Sequence, residues 1–363
     1  MSIAEGRLRV GVVGLGAVAR EFHLPALISS KQFELVAGAE INADRRERIR
    51  KMFNIPEIYA SYQEMYQNAR LDVVFVCISN QLHYRTVVAA LKAGLHVVCE
   101  KPMGTSALEA RSMVDLAQQS ELVLLPAYNL RFVETFVQAK EKIAHGIIGD
   151  LVQIQGTFFN PGPYITWDPK SDWHFDKQGY GVLYDLGSHL VDLMLYMTGI
   201  EVESVSAFSL FRYSDVEVPT NISCAFRAKN KIIGSLSLGW GTGALRCELQ
   251  LHGTAGVLLV DQHQLTHLYR GIDPIERSIA YGCHAFAEIR SAFKRKLGAG
   301  AISPEHKKLT RNAADVILGR AFPVTSSYDA IRTHEILESI RTSLDQNGNV
   351  VSVKPETTQP DKK

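Results

Sequence analysis

The sequence predicts an α/β protein, with a doubly wound parallel sheet in its first part and a mostly antiparallel sheet in its second. Three observations predict this. Strand and helix patterns alternate from Leu8 to Ala127, as right-handed βαβ crossovers require. Gly14-x-Gly16-x-x-Ala19 stands between the first strand and the first helix. From Ser204 to Asp261, short alternating segments follow one another with turn signals and no helix between them.

The elements follow in order. Leu8–Val13 is a short apolar strand, and the glycine turn leads into a helix over Ala17–Ser29. Phe33–Ala39 is a second strand, and Ala43–Phe53 is a helix with an Arg/Glu-rich exposed face. Asp72–Ile78 is a continuous apolar run, the signature of a central strand buried on both faces. His83–Ala93 is a helix stopped by Gly94, Leu95–Cys99 a strand, Ala107–Gln119 a helix and Leu122–Ala127 a strand. After Asn129 come a helix through Glu134–His145, a strand near Asp150–Asn160 and a helix near Leu183–Thr198. Strands are then expected at Ser204–Arg212, Asn221–Ala228, Ile232–Trp240, Arg246–Leu251 and Val257–Asp261, and helices at Glu305–Leu318 and Tyr328–Ser343. Residues 262–300 show no period and no assignable role. The expected domains are 1–128 and 129–350, with a disordered polar tail over 351–363.

Composition excludes several classes. With 363 residues the chain can bury two cores. A formal charge of +1 gives no reason to expect nucleic acid or an anionic membrane as partner. No apolar run approaches the roughly 20 residues that cross a bilayer. The five cysteines are scattered and without CxxC spacing, which disfavours disulfides and zinc and suits a reduced, cytoplasmic setting. His263 and His267 share helical spacing inside strand or loop sequence, so no metal site is expected.

The residue patterns then point to chemistry. In the glycine turn, Gly14 permits the tight bend and Gly16 lets backbone approach a pyrophosphate. The helix N-terminus, with Ala17 and Val18, attracts the phosphates. Glu40 ends the second strand, where a carboxylate accepts hydrogen bonds from adenosine ribose hydroxyls and repels a 2′-phosphate. NAD is therefore expected over NADP, although Arg45 and Arg46 follow closely. Glu100-Lys101-Pro102 ends an apolar strand, at the edge where sites of open α/β sheets gather. An ammonium there polarises a substrate oxygen. Asp185 and His189 are four apart, so on a helix they share a face, with Asp192 three further on. A histidine so placed suits a general base.

Taken in order, Gly14–Ala19, Glu100-Lys101-Pro102, Asn129-Leu130-Arg131-Phe132, Gly146–Gly149 and Asp185–Asp192 resemble the Gfo/Idh/MocA oxidoreductase family over about residues 7–350. The resemblance implies a Rossmann domain followed by a domain with a large open sheet that often joins copies, hence a homodimer or homotetramer. It implies Lys101, Asp185 and His189 as the catalytic set. It also implies that Ser79, Asn80, His83, Glu100, Lys101 and Asn129 line the cofactor, and that the Lys101-Pro102 bond is cis. Tyr180 departs from the family, whose members commonly carry glycine there; it is expected to narrow the pocket or meet the substrate. Tyr164 and Trp173, with Trp167, Asp168 and Asp172, form an aromatic and acidic loop suited to a sugar.

The expected function is hydride transfer between NAD(P) and a secondary alcohol or ketone of a sugar, cyclitol or related polyol, with no metal. The alternatives are an NAD-dependent glycosidase that oxidises its substrate transiently, and a dinucleotide-sensing regulator without catalysis.

Overall fold

A computed structural model describes residues 6–162, 175, 180–212, 216–243, 245–269, 282 and 302–353. Two compact units divide the chain. The first comprises Met1–Phe132 and Ile302–Ile331, the second Val133–Ala301 and Arg332–Lys363.

The first unit is built on six parallel strands: β1 (Leu8–Val13), β2 (Phe33–Ala39), β3 (Glu57–Tyr59), β4 (Val73–Val76), β5 (His96–Cys99) and β6 (Leu124–Pro126). Their order is β3-β2-β1-β4-β5-β6, the doubly wound arrangement whose switch point lies between β1 and β4. The connecting helices are α1 (Leu24–Ser29), α2 (Ala43–Phe53), α3 (Tyr62–Asn68), α4 (His83–Lys92) and α5 (Ala107–Gln119). Helices cover both faces of the sheet, and so β4 reads Val-Val-Phe-Val with every residue buried. On one face Val74, Val76, Val97 and Cys99 pack with Met113 and Val114 of α5. On the other, Leu8, Val10, Val12 and Phe75 pack with Leu24 and Leu27 of α1. The strand β3 and the helix α3 were not foreseen, because three and seven residues are too few to show a clear period.

The second unit contains α6 (Glu134–Ala144), β7 (Leu151–Phe159), α7 (Ser188–Thr198), β8 (Val202–Leu210), β9 (Asn221–Ala228), β10 (Ile232–Gly239), β11 (Arg246–Gly253), β12 (Gly256–Asp261) and β13 (Leu265–Tyr269). The helices α8 (Pro304–Ile317) and α9 (Ser327–Asp345) and the strand β14 (Val351–Ser352) follow. The eight strands run β13-β12-β11-β7-β10-β9-β8-β14. All neighbours are antiparallel except β7 and β10, which pair in parallel at the centre. Gly156 of β7 leaves room at this centre: a Cβ there would come within 2.9 Å of Leu236 and 3.2 Å of Leu190 on α7.

Several expectations need correction. The boundary falls after Phe132 rather than after residue 128, and 302–331 returns to the first unit. The reason is packing: Leu309, Ala313 and Ala314 of α8 belong to the same core as Val10, Val12 and Phe75. The tail expected to be disordered from 351 begins with a strand, since Val351 pairs with Val205 and the Val353 N–H donates to the Glu203 carbonyl. Residues 265–269, inside the stretch without a period, form β13 against β12. Residues 354–363, most of 262–300, and Tyr164, Trp167, Asp168, Asp172 and Trp173 lie outside the described residues. No described helix is long and apolar enough to cross a membrane.

Candidate active site

In the first unit the predicted residues gather at the carboxyl ends of the strands. Gly14 follows β1 with φ of 82°, in the left-handed region, and a Cβ there would lie 2.4 Å from the Cys77 carbonyl oxygen. Glycine is required on both counts. Gly16 is the opposite case, since a Cβ would meet nothing within 4 Å. That leaves an open cradle at the helix start, beside Ala17 and Val18, as a pyrophosphate needs. The helix widens into a π turn over Ala19–His23 before α1.

Glu40 is buried at the end of β2. Its Oε2 accepts the Leu15 N–H at 3.0 Å and its Oε1 the Asn42 N–H at 2.9 Å, which fixes the carboxylate against the glycine turn. Arg45 Nη1 lies 3.5 Å from Glu40 Oε2, and Arg46 donates to the Glu40 carbonyl at 2.7 Å. Ser79 and Asn80 follow β4, and Asn129 opens the short turn after β6. Asn80 is 2% exposed and its Nδ2 has no hydrogen-bond partner among the described residues. A buried donor left in this way suits a ligand oxygen. The open cradle, the braced carboxylate and this donor together fit a dinucleotide.

The Lys101-Pro102 bond is cis, as expected. Glu100 turns inward: Oε1 lies 2.6 Å from His23 Nε2, and Oε2 accepts the Lys101 N–H at 3.1 Å. Burial pushes the Glu100 carboxyl up, but His23 and Lys101 outweigh it and hold it at about 2. His83 was expected to line the cofactor. Instead it is fully buried, with Nδ1 2.9 Å from the Pro102 carbonyl and Nε2 2.9 Å from the Ile78 carbonyl. Burial lowers its pKa against the pull of these carbonyls. Its ring therefore ties the loop after β5 to the end of β4, and both nitrogens are occupied by backbone.

In the second unit the helix with Asp185 and His189 begins as a π turn over Leu183–Gly187 and continues as α7. The expected uniform α-helix is thus wider at the very turn that bears Asp185, a distortion frequent at functional sites. Gly181 precedes it with φ of 56°, and a Cβ there would lie 2.4 Å from the Pro219 carbonyl oxygen. Gly187 lets the helix approach the sheet, since a Cβ would lie 2.9 Å from Leu238. Asp185 is 8% exposed, and its Oδ2 accepts the Nε1–H of Trp240 at 3.1 Å. No local pattern pointed to Trp240 as this partner. From Gly181 to Leu195, His189 alone is not buried. Its ring lies 5.9 Å from Phe158. Asp192 is 1% exposed. Tyr180, expected near the substrate, donates its hydroxyl to Asp345 Oδ1 at 2.6 Å, and Arg341 lies over its ring at 4.7 Å. These contacts anchor it to α9. Lys101 stands in the first unit, and Asp185 and His189 in the second. No cluster of three or more His, Cys, Asp or Glu suited to a metal occurs among the described residues.

Comparison with known proteins bears on the family and the fold. Residues 8–128 match the family described as "Oxidoreductase family, NAD-binding Rossmann fold", and residues 136–259 match the "GFO/IDH/MocA C-terminal domain". A trans-1,2-dihydrobenzene-1,2-diol dehydrogenase of Mus musculus is 30% identical over 63% of this chain and 68% of its own length. A D-glucoside 3-dehydrogenase of Escherichia coli is 30% identical over 56% of this chain and 57% of its own length. The chain thus spans less than two thirds of that second relative. The WlbA dehydrogenase of Bordetella pertussis, solved in complex with NADH and UDP-GlcNAcA, superposes with a TM-score of 0.80 over 98% of this chain and 100% of its own. At 20% identity that likeness speaks for the fold alone.

Proposed function

The chain belongs to the Gfo/Idh/MocA oxidoreductase family, and from that premise we propose that it interconverts a secondary alcohol and a ketone on a sugar, cyclitol or related polyol. What supports the proposal is the presence of a lysine at the end of β5 in the first unit and, in the second, of a histidine that alone is not buried between Gly181 and Leu195.

In the oxidative direction His189 accepts the proton of the substrate hydroxyl. The Lys101 ammonium stabilises the negative charge that gathers on the same oxygen. Asp185, whose Oδ2 accepts the Trp240 N–H, orients the substrate. Bound nicotinamide supplies the hydride acceptor, or the donor in reduction. Gly16 and the helix start would hold its pyrophosphate, Glu40 the adenosine ribose, and Asn80, Ser79 and Asn129 the nicotinamide half. The buried Glu40 carboxylate supports NAD over NADP, because a 2′-phosphate would meet its charge.

Exposed Val152, Phe208, Leu210 and Ile233 on β7, β8 and β10 support a homodimer or homotetramer built on the second sheet. The free thiols of Cys77, Cys99, Cys224 and Cys247 support a cytoplasmic setting.

The test is to mix the protein with NAD or NADP and a panel of polyols and follow absorbance of the reduced cofactor. Turnover on a polyol is expected. Glycoside cleavage without net reduction would move the chain to the glycosidase class, and dinucleotide binding without turnover to the regulators.

A further inference from the structure

Resting on the reading of Lys101 as the reactive lysine, we propose that His23 is a positioning residue, which acts through Glu100 to fix the backbone of Lys101 and so where its ammonium is presented.

His23 sits in the π turn of the first helix and is 1% exposed. Its ring lies edge-on to Phe75 at 5.5 Å and to His306 at 5.3 Å. Among the described residues its polar partner is Glu100, 2.6 Å from Nε2. The other Glu100 oxygen takes the Lys101 amide. Imidazole, carboxylate and amide therefore form a continuous line from the first helix to the lysine. A carboxylate withdrawn from water is costly unless paired, and His23 supplies the pair. Removing the imidazole would leave Glu100 to turn toward solvent and release the amide.

Two neighbours make the line rigid. His306 of α8 stacks on Phe22 at 4.6 Å and engages the Ser303 hydroxyl through Nδ1 at 2.8 Å. Burial, with the neighbouring His23, pushes its pKa down to about 3. On the far side of Lys101, His83 holds the Pro102 carbonyl and Glu109 Oε2 holds the Thr105 N–H at 2.7 Å. Lys101 is thus bracketed, and His23 is the only tie on its N-terminal side that comes from a distant helix among the contacts described.

The experiment compares His23→Leu with His23→Gln, whose amide can still donate to Glu100. Hydrogen exchange of the peptide spanning residues 99–105 is followed by mass spectrometry, beside kcat, KM and dinucleotide affinity. In His23→Leu, exchange of that peptide should rise about tenfold. Its kcat should fall about 10²-fold, as expected for a displaced catalytic group, with KM and dinucleotide Kd within about threefold. His23→Gln should restore both. If His23→Leu does not fold, His23→Asn, whose shorter amide cannot reach Glu100, should give the same losses. Unchanged exchange at 99–105, exchange rising evenly through the first unit, or a kcat at the wild-type level would overturn the proposal. Absence of wild-type turnover on every polyol would sink the functional reading alone, because the exchange measurement needs no substrate and still decides the anchor.

Discussion

The two sheets serve chemistry in opposite ways. The parallel sheet carries its candidate residues at its own strand ends: Gly14 after β1, Glu40 after β2, Asn80 after β4, and Glu100 with Lys101 after β5. The second sheet presents none of the candidate set, and Asp185 and His189 ride on the helix laid against it. Strand direction explains the difference. Parallel strands all finish at one edge, so a site collects there. Antiparallel neighbours finish at opposite edges, and residues that must act together are better borne by one helix. The cost of that solution is close packing, visible in Gly156 and Gly187, where no side chain beyond hydrogen fits easily.

The sharpest way to break this comparison is to remove one reactive group from each unit. His189→Ala should lower kcat by about 10²–10⁴-fold, the usual share of a general base. Lys101→Met should lower it by about 10²–10³-fold. Both should keep dinucleotide affinity, measured by quenching of protein fluorescence. A loss confined to one of them would mean that only one unit holds the chemistry.

Within the first unit the two turn glycines separate fold from ligand. Gly14→Ala combines a left-handed φ with a 2.4 Å clash against backbone, and should destabilise by about 2–4 kcal/mol in urea unfolding. Gly16→Ala faces open space. It should unfold within about 0.5 kcal/mol of the wild type yet bind dinucleotide more weakly.

Acid should also distinguish the units. The Glu100 carboxyl is held at about 2 against an ordinary 4.5. A carboxylate lowered in the folded state contributes stability above its unfolded value and loses it as pH falls toward the folded one. Up to about 3 kcal/mol should therefore disappear from the first unit between about pH 4.5 and 2. His23→Leu should flatten that limb, as urea midpoints across the range would show. A smaller effect than that acid loss is expected within the second unit. Trp240→Phe keeps the ring but removes the N–H that meets Asp185, which should cost about 1–2 kcal/mol and a modest part of kcat.

Much of this was legible in the sequence, for definite reasons. Apolar runs such as Val73–Val76 and the glycine turn announce a parallel sheet because burial on both faces leaves no polar alternation. Lys101 and the Asp185–His189 spacing were visible because each depends on neighbours close in sequence. What was hidden depends on distance. Trp240 meets Asp185 across 55 positions, and Glu100 meets His23 across 77. No local pattern encodes such a pairing. One signal for His23 was available: it shares the buried side of its helix with Ala19 and Leu27, and an inward histidine needs a partner. The parallel pairing of β7 with β10 was hidden too, since register between strands far apart in sequence leaves no period.

The helix α8 has a consequence for biogenesis. It is translated after almost the whole of the second unit, yet Leu309, Ala313 and Ala314 complete a core begun by Leu8 and Val10. A ribosome that has just extruded Phe132 has therefore released an apolar surface that waits for some 170 further codons before it is closed. During that interval the nascent chain is a natural client for chaperones, and gene fragments cut at the apparent end of the nucleotide-binding domain would inherit the same exposed flank.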